Sequence, residues 1–149
     1  MKPALMLGVL LLAAPMALGQ VRVQGGNVTL AITAAPPGPD PPTASSSSTT
    51  LRWSQERVET KITIATLCPG QKFTLRALAT GISGGGMPAP EVTLQDGMLA
   101  VDFVLDIPPR KPNNGSCTVR YTAVASFEQG NSTELGDDVH TVTYTIVAQ

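Results

Sequence analysis

Residues 61–79 read KITIATLCPGQKFTLRALA, and this stretch decides the fold class. Ile62, Ile64 and Cys68 fall in phase at a period of two, Pro69-Gly70 interrupts, and Phe73, Leu75 and Ala77 then fall in phase again. A period of two marks a strand with one buried face, and Pro-Gly between two such runs marks a turn. A helix would space its apolar residues by three and four instead. The same alternation spreads outward in both directions. Upstream, Val28, Leu30 and Ile32 alternate within 27–33, and Leu51 and Trp53 within 50–54. Downstream, 91–95 and 98–107 flank Asp96-Gly97, a dipeptide suited to the positive φ angles of a tight hairpin turn. In the second arm Val101, Phe103, Leu105 and Ile107 are expected on one face, Asp102 and Asp106 on the other. Cys117, Val119, Tyr121, Ala123, Ala125 and Phe127 share a phase, and Val142, Tyr144 and Ile146 alternate with threonines to the end. No stretch sustains a helical period. The expectation is an all-β, antiparallel two-sheet sandwich of about seven or eight strands, immunoglobulin-like or pilin-like.

The start of the chain has a different character. Lys2 precedes an uninterrupted apolar run over 4–14, Pro15 breaks it, and Ala17-Leu18-Gly19 offers small residues where a signal peptidase reads. The run is shorter than the roughly 20 residues a membrane-spanning helix needs, and no later segment is apolar enough to span. Residues 1–19 are therefore read as a signal peptide, with a secreted product, extracellular or periplasmic and able to associate with a cell surface. Residues 20–34 follow as an N-terminal strand. Residues 35–49 (APPGPDPPTASSSST) are a Pro/Ser-rich linker or long loop, because neither half offers apolar surface to bury. Residues 50–149 form the sandwich domain, which 20–34 completes.

Composition excludes several functions. The net charge is −1, and the ten Lys and Arg are scattered rather than clustered. A nucleic-acid or anionic-membrane partner calls for a basic patch. Aromatics make up only 4%, too few for a sugar- or base-stacking platform. His140 is the sole histidine, beside Asp137 and Asp138, and no G-x-S-x-G nucleophile turn occurs. It reads as an exposed residue at the start of a strand, in a protein that is not an enzyme and holds no cofactor. Cys68 and Cys117 are the only cysteines, both in core phase, and in an exported chain they are expected to bridge the two sheets. With both sulfurs bonded, one histidine leaves no zinc set, so no metal is expected.

Residues 61–79 together with 138–147 (DVHTVTYTIV) resemble spore coat protein U and related pilin-like domains of secreted bacterial β-sandwiches. The first stretch is similar to their strand, Cys, short turn and strand, the second to their terminal strand of alternating Thr and Val. Those domains carry a cysteine near the mature N-terminus, and this chain has none. The resemblance implies an extracellular structural or assembly role. The expected function is that of a non-catalytic structural subunit of a surface, coat or fibre. It would self-associate by exchanging the strand that carries Val28, Leu30 and Ile32. The alternative is a secreted binding module that meets a protein or glycan through loops 81–90, 108–115 and 129–138.

Overall fold

Alternating Thr, Val and Ile residues build nine strands and no helix among the residues that the computed structural model describes, 19–32, 41–55, 58–109, 114–125 and 136–149. The strands are β1 (Gly19–Gln24), β2 (Thr43–Gln55), β3 (Thr60–Leu67), β4 (Thr74–Ser83), β5 (Met87–Pro88), β6 (Val92–Leu94), β7 (Val101–Ile107), β8 (Asn114–Val124) and β9 (Thr141–Ala148). All ladders are antiparallel. One sheet has the order β1-β2-β8-β4-β6, the other β5-β7-β3-β9. No helix is long and apolar enough to cross a membrane among the described residues.

The two sheets share one core. Leu51, Trp53, Ala77, Ala79, Leu94, Val119 and Tyr121 face it from the five-stranded sheet, and Ile62, Ile64, Phe103, Val104 and Ile107 from the other. Each large side chain buried here contributes roughly 1.5–3 kcal/mol. Trp53 dictates its neighbour. It pairs across the ladder with Gly115, where an added Cβ would lie 2.1 Å from the indole Nε1. Only a residue without a side chain fits. The expected loop 108–115 thus ends inside β8.

Several expectations are corrected. The Ser-rich half of the supposed linker is strand: β2 runs from Thr43 and pairs with β8 from Thr43↔Val124 onward. Ladder bonds come from the backbone, so serines suffice when neighbours supply the apolar surface. Thr49 is buried, and Ser45 and Thr122 hydroxyls meet across the strands at 3.2 Å. Residues 33–40 and the leader up to residue 18 lie outside the described residues. The N-terminal strand is β1, whereas 27–32 join no ladder. Asp96-Gly97 is a turn but not a hairpin, since β6 before it pairs in one sheet and β7 after it in the other. On β7, two register shifts against β3 break the expected phase. Phe103 and Val104 are both buried as a result, while Val101 is exposed. The expected inter-sheet disulfide is absent, and Cys68 and Cys117 are both buried free thiols.

Candidate functional site

The densest polar construction among the described residues lies where β3 ends. Pro69-Gly70 stops the strand, and the Gln71 N–H donates to the Cys68 carbonyl at 3.0 Å to close the turn. The Asp96-Gly97 corner then folds over this end. Cys68 N–H donates to Asp96 Oδ1 at 2.7 Å, and Gly97 N–H to the Thr66 carbonyl at 3.1 Å. Gln71 ties the corner down: its Oε1 accepts from Asp96 N–H, and its Nε2 donates to the carbonyls of Phe73 and Leu94. From the opposite side comes Asp138, in the segment leading into β9. Its carboxylate accepts the N–H groups of Lys72 (2.9 Å) and Phe73 (2.7 Å), with Lys72 Nζ at 3.9 Å. The side chain is 8% exposed. This buried carboxylate satisfies the two N–H groups that lead into β4, just ahead of its first ladder pair, Thr74↔Val124.

Cys68, Asp138 and His140 meet here. One donor atom from each lies within 4.8 Å of the other two. His140 is held by Thr66, whose Oγ1 is 3.2 Å from Nδ1 and donates its own proton to the Thr141 carbonyl at 3.3 Å. A hydroxyl has one proton: with it committed to the carbonyl, Nδ1–H is the donor toward Thr66 and the imidazole lone pair sits on Nε2. Burial lowers the His140 pKa, against the pull of Asp138 and Asp96, and so favours this neutral ring. Burial raises the Cys68 thiol, and the charges of Asp138 and Asp96 add to that, opposed by Lys72 and a bond to the Val139 backbone. A covered thiol kept protonated is the opposite of an activated nucleophile. The carboxylate of Asp138 is turned to the backbone of 72–73 and does not orient the imidazole, as a catalytic triad would require. Three unlike ligand atoms close together suit a cation better.

Cys117 occupies another level. It pairs with Leu51 in mid-sheet and bears on Tyr144, which lies opposite Ile64 in the β3–β9 ladder. Cys68 is four residues beyond Ile64, about 13 Å of strand. A disulfide needs Cα atoms within roughly 7 Å. Both side chains are buried, as their phase predicts, but Cys117 belongs to the core cluster and Cys68 lies beyond it at the end of β3. Burial pushes the Cys117 thiol up to about 11.

Of the residues expected to exchange, Val28 and Leu30 are half-buried and pack against the core, and Ile32 is half-buried too. The apolar alternation is as read, but the segment is seated by side chains, with no ladder beneath it. The loop candidate 129–138 lies outside the described residues up to 135. The four sheet edges differ in kind. β5 has two residues and a proline, β6 has three, and β1 carries the charged Arg22 in line with Gln20 and Gln24, with Val21 and Val23 at the alternate positions. β9 is eight residues long, uncharged and free of proline (TVTYTIVA), and its far edge has no strand partner among the described residues. Compared with family models, curated proteins and solved structures, the chain matches none.

Proposed function

We propose that the protein is an exported structural subunit, released from its leader near Gly19, that assembles with copies of itself by strand addition along β9. The observation that carries this is the contrast among the edges. Sandwich proteins blunt free edges with charge, proline or brevity, and β9 alone uses none of these. Thr141, Thr143 and Thr145 are exposed along it, while Val142, Tyr144 and Ile146 hold it to the core, so the strand stays in place with its outer backbone groups available. Residues 27–32 are the donor. They carry apolar side chains at alternate positions and are bound to their own domain without backbone pairing, so transferring them to a neighbour sacrifices no ladder. The resemblance to spore coat protein U and pilin-like domains supports the same reading, and so do the absence of a basic patch and the scarcity of aromatics.

The test is the oligomeric state of the mature chain by light scattering over a range of concentrations. Thr143→Lys/Thr145→Lys places two charges on the exposed face of the edge and is expected to convert assemblies to monomers while leaving the fold intact. A wild-type chain that stays monomeric at every concentration, or a double variant that assembles unchanged, would sink the reading.

A further inference from the structure

We propose that Cys68, Asp138 and His140 form a zinc site at the end of β3, independent of assembly along β9. The three side chains bring sulfur, oxygen and nitrogen donors within 4.8 Å of one another. Around a tetrahedral zinc, donor atoms stand roughly 3.5 Å apart, so a cluster whose donors lie within 4.8 Å of one another has to tighten by at most about 1.3 Å. Three protein ligands with a fourth position left to solvent is a known zinc arrangement, and a thiolate with an imidazole selects zinc over magnesium or calcium.

The surroundings supply what a metal site needs beyond its ligands. Thr66 Oγ1 holds the His140 ring at Nδ1 and leaves Nε2 as the nitrogen to ligate, which is the outer-shell support metal-bound histidines use. Asp138 is fixed by two backbone N–H groups, and Cys68 by the bond from its own N–H to Asp96. The charges balance as well. Asp138, Asp96 and an ionised Cys68 bring three negative charges near the sulfur against one positive charge on Lys72. The remainder of −2 is what one divalent cation cancels. On binding, the S–H proton leaves to solvent as the S–Zn bond forms, with no change of oxidation state. In an oxidising compartment the metal would also protect a thiol that has no cysteine within reach.

Cobalt(II) reports on such a site directly. Titrating the full mature chain, freshly reduced, should give one equivalent of tetrahedral d–d bands and a thiolate-to-cobalt charge-transfer band, both removed by adding zinc. Cys68→Ser should abolish the charge-transfer band, His140→Ala should weaken cobalt binding at least tenfold, and Cys117→Ser should bind as wild type. Wild-type chain giving no charge-transfer band would overturn the proposal. So would a band that survives Cys68→Ser or is lost in Cys117→Ser.

Discussion

Cys68 and Cys117 have the same phase in their strands and the same burial, yet they sit in two kinds of protein. Around Cys117 the packing is apolar and mid-sheet: Leu51, Trp53 and Val119 lie along the strands, and Tyr121 and Tyr144 share a hydroxyl–hydroxyl bond between the sheets. Phe103 rests against Tyr144 with ring centroids 5.5 Å apart. Around Cys68 the partners are carboxylates, an amide and an imidazole, joined by hydrogen bonds to the backbone. The middle is held by volume and the end by charge. Strand phase tells which face a side chain takes; it does not tell how far along the sheet that side chain lies.

That division makes opposite substitutions costly in the two places. The largest effect belongs to the middle. Gly115→Ala drives a methyl group into the Trp53 indole, and a loss on the order of 4 kcal/mol or outright misfolding is expected by urea denaturation. A cost below about 1 kcal/mol would mean that Trp53 packs elsewhere. At the end, Asp138→Ala removes almost no volume from the core but strands the N–H groups of Lys72 and Phe73. About 3 kcal/mol should be lost in the same assay.

The cysteines themselves allow a finer test. Cys68→Ala and Cys117→Ala should each cost about 1–2 kcal/mol, and their effects should add, because the two sites share no partner. A bridge would instead make either change cost about 4 kcal/mol and the second almost nothing. The smallest effect is with pH. The Cys117 thiol is raised from 9.0 to about 11 in the fold, so the unfolded chain loses its proton first. This contribution is complete below about pH 9 and fades as the pH rises through 11. Cys117→Ala should flatten that part of the alkaline stability profile, measured by thermal unfolding in buffers across the range.

Much of the β architecture was open to reading, and the reasons for the misses are physical. Alternation in 50–54, 61–68 and 116–121 identified Leu51, Trp53, Ile62, Ile64, Val119 and Tyr121 as core, because a buried face imposes a period of two wherever the ladder is regular. The two bulges of β7 reset that period, and no local signal announces them. The serines of β2 looked like a tether because composition records what a segment can bury, while β8 supplies the pairing from about 70 residues away. Asp96-Gly97 has the chemistry of a hairpin turn, but the Asp96 side chain is committed to Cys68 N–H, which pulls the corner across to the other sheet. The candidate site was hidden by one pairing. Joining Cys68 to Cys117 on count and phase removed Cys68 from the company of His140, and the approach of Asp138 depends on contacts more than 60 residues apart in sequence.

The state of the two sulfurs tests this account most directly. The mature chain, made in an oxidising compartment and never exposed to reductant, can be unfolded in a thiol-alkylating reagent with chelator present and weighed intact. Two alkyl groups per chain, one each on Cys68 and Cys117 after digestion, are the predicted result. A chain that takes up none and yields a single peptide pair linked through Cys68 and Cys117 would contradict it.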